Sequence, residues 1–407
     1  MAAGTAFNLA LRNDGTVLAW GDNTYGQTDV LAGLSGVKSI AAGADHALAG
    51  MFSPLVQYAV DVTKDLLVIY NSSSANSIVV KDHYLAHRPM VSGANVLPIA
   101  CTSTETMTPT DFTNQIRVPL LSWLAANPTK RPEYVVLFLD IPTRVNNDTN
   151  SFCCPSTYAQ GSSNNVPVQI NTLVSGWHPL VTYINMGDTN DCKAYINKLA
   201  AVAATNSPGQ LILSASAGPY GNTNYYFDAT SFDFEPWETS ASLPLASNAV
   251  VANGALPAAV FYVGQRESRT NAGLHLTNGV SVAGYASFGG HSTLLKGFAT
   301  NGTVKFSGNS GWYLIMTVES FDGLRLDDSY STFIDWYSQN AFGGTSSVNT
   351  PVGAVATNDE PGNDGIAHAP TYFGLWARGK VFAICAWNAN RSARGYFLAV
   401  GDPLVKR

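Results

Sequence analysis

From residue 66 onward, short apolar runs rich in β-branched residues alternate with stretches whose apolar positions fall at helical spacing. That alternation restricts the fold more than any other feature of the chain. Leu66-Leu-Val-Ile-Tyr70 predicts a strand, the Asn/Ser-rich segment after it a capped turn, and Ile78 to Arg88 a helix. Asn95 to Ile99 predicts a second strand, Pro109 to Ala126 a helix and Tyr134 to Leu139 a third strand. The pattern continues with strands at 180–184 and 211–213 around a helix from Asp191 to Ala204. Further strands are expected at 258–263, 281–285, 313–318 and 353–356, helices at 330–337 and 372–387, and a closing segment Gly401-Asp-Pro-Leu404. Parallel strands need long crossovers, which helices supply, and those helices cover the sheet. The expected class is therefore α/β, a mainly parallel sheet with helices on both faces.

The first 52 residues have a different texture. Ala2-Ala-Gly-Thr-Ala-Phe-Asn-Leu9 recurs as Ala41-Ala-Gly-Ala-Asp-His-Ala-Leu48, an offset of 39 residues (41 − 2). Between the copies lie the hairpin signal Asn13-Asp14-Gly15 and the run Trp20-Gly-Asp-Asn-Thr-Tyr-Gly26-Gln27. The segment resembles one blade of the regulator-of-chromosome-condensation type of β-propeller. One blade cannot cover both of its own faces, so residues 1–52 are expected to be a remnant of a longer array, or its truncated tail. Residues 55–407 are expected to form the α/β domain, with irregular insertions at 146–168 and 215–250.

Composition narrows the function. Charged residues are 12% of the chain and the net charge is −6, which disfavours a nucleic-acid binder. A surface made polar by Asn, Ser, Thr and Gly is common in exported bacterial proteins, so the parent protein is expected to be exported, although the chain as given opens with no export signal. No run approaches the ~18 apolar residues of a membrane span. The five cysteines include no zinc-type CxxC pair, and Cys153 or Cys154 is expected to bond Cys192 in an oxidising compartment.

Two glycine turns carry the sharpest chemical expectation. Gly284-Tyr-Ala-Ser-Phe-Gly-Gly-His291 and Leu314-Ile-Met-Thr-Val-Glu-Ser320-Phe-Asp-Gly323 each read as a buried strand breaking into a turn, the place where open α/β sheets hold reactive side chains. Serine is a poor nucleophile until a base takes its proton, and histidine is the usual base. Ser320 with His291 is thus the predicted pair, and Asp322, Glu319 or Glu267 could orient the imidazole. The N–H groups of Gly289 and Gly290, or of Phe321 and Gly323, are the predicted oxyanion donors. The expected activity is hydrolysis of an ester, lactone or amide carbonyl in a small-molecule or peptide substrate. The alternative is a non-catalytic exported binding or adhesion module.

Leu67-Val-Ile-Tyr-Asn71, Ile141-Pro-Thr-Arg144, Ser320-Phe-Asp-Gly323, Asp359-Glu-Pro361 and Gly401-Asp-Pro-Leu404 together resemble an uncharacterised bacterial family of exported proteins, with no assigned activity. At greater distance the layout is similar to gingipain and caspase cysteine peptidases, with flavodoxin-like layers as the other option. In those peptidases a His-Gly turn follows one strand, a nucleophile follows the next, and a Gly-Asp-Pro lies near the domain end. The 29 residues (320 − 291) between His291 and Ser320 suit one such step. Two departures stand out: Ser292 follows the histidine, and Ser320 occupies the cysteine position, so the resemblance implies a serine variant.

Acidic loops suggest calcium, which gingipain-like domains carry. Asp359, Glu360 and Asp364 group hard oxygen ligands beside glycines, with His368 close by and Asp327-Asp328 as further carboxylates. Asp364 with His368 alone would suit a transition metal. His83 and His87 have zinc-peptidase spacing, but Tyr84 replaces the required glutamate. GxSxG, P-loop and GxGxxG motifs are absent, which removes the commonest hydrolase and nucleotide-binding families; no organic cofactor is expected. The aromatic, acidic stretch Tyr225 to Trp237 leaves a small place for a glycosidase.

Overall fold

A computed structural model describes residues 1–30, 34, 37–44, 46–51, 60–145, 165–201, 209–216, 258–264, 276–287, 297–319, 321–325, 331–359, 366–390 and 396–407. The chain divides into two compact units, Met1–Val60 and Asp61–Arg407.

In the first unit, β1 (Ala2–Ala3), β2 (Phe7–Leu11) and β3 (Val17–Gly21) form an antiparallel sheet, and β4 (Val37–Ala42) pairs with β5 (Ala47–Met51). The 39-residue repetition is visible as geometry. Ala2 pairs with Leu9 and Ala41 with Leu48. Gly4 N–H donates to Phe7 O and Gly43 N–H to His46 O, both at 2.9 Å. Both copies are therefore the same tight hairpin, and each needs glycine because a Cβ would run into the ring of Phe7 or His46.

The second unit is built on ten strands: β6 (Leu66–Asn71), β7 (Asn95–Ile99), β9 (Tyr134–Phe138), β11 (Leu180–Ile184), β12 (Gln210–Ser216), β13 (Ala258–Gly264), β15 (Val282–Ser287), β17 (Leu314–Thr317), β18 (Gly353–Thr357) and β19 (Phe397–Gly401). Short pairs β8 (Thr106–Met107) with β10 (Arg144–Val145) and β14 (Leu276–Val280) with β16 (Val304–Ser307) lie outside that sheet. The helices are α1 (Val62–Asp65), α2 (Ala75–His87), α3 (Pro109–Asp111), α4 (Val118–Ala126), α5 (Val166–Asn171), α6 (Thr189–Ala201), α7 (Phe333–Tyr337), α8 (Ala369–Ala377) and α9 (Phe382–Ala389).

The strand order is β13-β12-β15-β17-β18-β19-β11-β9-β6-β7. Every neighbour pair is parallel except β18 with β19. The sheet is therefore two parallel five-stranded halves meeting along an antiparallel seam. In chain order both halves read 2-1-3-4-5, with β6 and β12 as first strands and β19 and β18 as fifth. Because the halves run in opposite senses, their strand C-termini open at opposite edges of the sheet. All residues of β9, β18 and β19 are buried, so both faces of the sheet centre are covered. At the seam Gly353 is required, since a Cβ there would lie 2.4 Å from the Phe382 ring.

Two elements differ from expectation. The helix predicted over 372–387 is two helices, because Gly379 adopts φ 75° and its N–H donates to Trp376 O, a left-handed helix stop. Within 109–126, residues Phe112–Arg117 form a π-helical stretch leading into Pro119, which has no N–H to complete a regular turn. A buried lock ties the chain's end to the helices: Asp402 accepts from Arg88 Nε at 2.8 Å and Tyr84 OH at 3.2 Å, while its own N–H donates to Tyr195 OH at 2.7 Å.

Candidate active site

What the two glycine turns can do depends on the strands that deliver them. β15 and β17 are direct neighbours, pairing Gly284 with Leu314 through Ser287 with Thr317. Val318 N–H extends that ladder by donating to Ser287 O at 2.8 Å. The segments bearing His291 and Ser320 thus leave adjacent strands at one edge of the sheet. His291, Ser320, Gly289 and Gly290 themselves lie outside the described residues, as do Glu267, Asp327, Asp328, Glu360, Asp364, Cys153, Cys154 and the stretch 225–237.

The residues flanking Ser320 are described. Asp322 is fully buried, accepting from Thr357 N–H at 2.6 Å and Thr357 Oγ1 at 3.3 Å, with a short hydrogen bond to Thr317 Oγ1. It joins the ends of β17 and β18. Burial pushes its carboxyl up to about 8, against the opposing pull of its hydrogen bonds to Thr317 and Thr357. Glu319 is buried as well, and its backbone O accepts from Thr357 Oγ1 at 2.8 Å.

Two of the four predicted oxyanion donors are already engaged. Phe321 N–H donates to Asp359 O at 3.3 Å and Gly323 N–H to Thr357 O at 2.7 Å. Both bonds hold the turn to the end of β18. Phe321 sits at φ 58°, a left-handed conformation that costs a non-glycine residue roughly 1–2 kcal/mol and persists only where neighbours impose it. Gly323 passes so close to β18 that a Cβ would lie 2.9 Å from Thr357 O.

Two residues of the acidic loop, Asp359 and His368, are described. Asp359 pairs with Arg144 Nη2 at 2.8 Å, which neutralises it, and His368 Nδ1 lies 2.7 Å from Thr371 Oγ1 at the start of α8. Asp359 is thus held beside a cation and His368 against the first turn of α8. Among the described residues no three His, Cys, Asp or Glu side chains gather around a common point. Cys192 is a free, buried thiol that accepts from Met186 N–H at 3.2 Å, so the expected disulfide to Cys153 or Cys154 is not formed.

A second polar cluster, not expected from the sequence, lies at the other edge. Asp140 follows β9, and its O accepts from Asn71 Nδ2 at 2.9 Å. Three residues later Thr143 O accepts from Val166 N–H at 3.0 Å and Asn358 Nδ2 at 3.2 Å. Asn71 ends β6 and Asn358 follows β18, so residues 140–143 double back across the sheet and join the two edges. Glu105 accepts from Arg325 N–H at 2.6 Å and Thr143 Oγ1 at 2.6 Å, while Asp140 Oδ1 stands 4.0 Å from Arg325 Nη1. A cavity of about 420 Å³ opens here, lined by Glu105, Asp188, Asp191, Arg325 and Ile334 among others. Acids in the turns that follow strands, as at Asp140 after β9 and Asp188 after β11, were the available signal.

The family model of the regulator of chromosome condensation (RCC1) repeat matches residues 1–27. It bears only on the first strands. No curated protein and no solved structure matches the chain significantly, and the similarity to gingipains and caspases finds no counterpart there. Among the described residues no helix is long and apolar enough to cross a membrane.

Proposed function

We propose that the second unit is a hydrolase of ester, lactone or amide carbonyls in which Ser320 is the nucleophile and His291 the base. The observation that carries this reading is the pairing of Ser287 with Thr317, from which the two segments depart at one edge. In each half the strand order is that of flavodoxin-like sheets, where ligands bind beyond strand C-termini. In the second half His291 follows the third strand and Ser320 the fourth, the layout implied by the resemblance to gingipain and caspase peptidases. With Phe321 and Gly323 spent, Gly289 and Gly290 supply the oxyanion donors. A calcium ion would be held by Asp359, Glu360 and Asp364, with Asp327, Asp328 and His368 as further ligands.

The test is a screen of short- and medium-chain esters, lactones and peptides against the wild type, Ser320→Ala and His291→Ala. Turnover that both variants lose by more than ~100-fold, with unchanged melting, is expected from loss of a nucleophile and its base. Turnover that survives in both refutes the assignment. The RCC1-repeat match favours the second reading, a binding module, and absence of turnover on every substrate class selects it.

A further inference from the structure

We propose that Asp322 is the positioning residue for the nucleophile turn, clamping Glu319 on one side of Ser320 and Phe321–Gly323 on the other to the end of β18. The proposal rests on the assignment of Ser320 as nucleophile. Its basis is the set of bonds on either side of that residue. Thr357 alone holds the turn at three points: its N–H donates to the Asp322 carboxyl, its single Oγ1 hydrogen is directed at Glu319 O at 2.8 Å with Asp322 Oδ1 at 3.3 Å, and its O accepts from Gly323 N–H. Thr317, at the end of β17, holds the other carboxyl oxygen. Asp322 O accepts from Phe333 N–H at 2.8 Å, which ties the same residue to α7. Phe321, held by Asp359 O, takes the left-handed conformation between these anchors. One side chain therefore connects the exit of β17, the exit of β18 and the strained residue next to the nucleophile.

The carboxyl is surrounded by hydroxyls and an N–H from β17 and β18, and the charge bearing on it is that of Glu319 in the same turn. In its protonated form it gives one hydrogen to Thr317 and accepts from Thr357 N–H. An asparagine reproduces both bonds, whereas alanine makes neither. That difference separates positioning from bulk.

The experiment uses the full chain and two readouts. One is hydrogen exchange of the Phe321 and Gly323 amides. The other is the rate at which a fluorophosphonate labels Ser320 between pH 6 and 9.5. Asp322→Ala is expected to speed exchange at both amides at least tenfold and to slow labelling at least tenfold. Asp322→Asn should stay within threefold of wild type at pH 7, and it should keep its rate above pH 8, where the wild type declines. Should Asp322→Ala fail to fold, Thr317→Val, which removes one of the bonds at constant shape, is expected to shift both readouts in the same direction by threefold or more. Exchange and labelling within twofold of wild type in Asp322→Ala, or in Thr317→Val where that variant stands in, overturn the proposal. A wild type that takes no label refutes the nucleophile assignment, and the exchange data still judge the clamp by itself.

Discussion

Replacing Asp402 by alanine should destabilise the second unit more than any surface change, because it strands a buried cation. The side chain of Asp402 is 0% exposed and that of its partner Arg88 9%. Removing one member of such a pair typically costs about 3–5 kcal/mol, mostly through the charge left behind. Tyr84 OH and Leu404 N–H lose their acceptor at the same time. Arg88 caps α2 and has a partial route to water, which places the expected loss near the lower end, about 3 kcal/mol. At roughly 2 cal/mol/K per residue, the unfolding entropy of a unit spanning Asp61–Arg407 is about 0.7 kcal/mol/K, so the melting temperature should fall by about 4 °C. Calorimetry and urea titration of the single variants and of the double variant Asp402→Leu with Arg88→Met would measure it. The double variant should recover most of the loss, since an apolar pair leaves no buried charge. A melt of Asp402→Ala within 1 °C of wild type, or a double variant worse than the single, would refute the reasoning.

Three other outcomes follow from particular residues. Asp322 holds a proton in the folded chain up to about pH 8, whereas the unfolded carboxyl loses it near its ordinary 3.8. Its contribution is therefore full below about pH 4 and is lost as pH rises towards 8, with a limiting slope on the order of 1.4 kcal/mol per pH unit. Urea unfolding between pH 5 and 8.5 should show that slope in the wild type and lose it in Asp322→Asn; parallel curves would contradict it. Burial pushes the Cys101 and Cys192 thiols up to about 12, so neither should react with a thiol reagent at pH 8 faster than the unit unfolds, and rapid native-state modification of either would count against the described packing. Gly353→Ala should cost about 1–3 kcal/mol through overpacking against Phe382, read as a lower urea midpoint at constant slope, and an unchanged midpoint would speak against the tight seam.

The α/β alternation was legible because strands buried on both faces read as unbroken apolar runs, as in Tyr134–Phe138 and Leu66–Asn71. The 39-residue repetition was equally legible, since identical turns need glycine at Gly4 and Gly43 for the same steric reason. The antiparallel seam was not. It depends on β19 crossing back to close the first half, and long-range pairing of that kind leaves no local pattern. The break at Gly379 did leave a signal, a glycine after the last apolar turn, which the long apolar run around it obscured. At the candidate site, the strand ends were readable and the fate of the acids was not. Asp359 is neutralised by an arginine 215 residues away, and Asp322 points into the sheet rather than towards a neighbouring loop. Glu105, Asp140 and Arg325 come from three separate connections, so their meeting had no sequence signature.

The proposed activity requires Ser320 to be a nucleophile activated by His291. Reaction with a fluorophosphonate followed by peptide mass mapping tests it without knowledge of the substrate. One labelled residue is expected, Ser320, with labelling lost in His291→Ala while the melt is unchanged. An unlabelled chain, a label on another serine, or undiminished labelling of Ser320 in His291→Ala would contradict it.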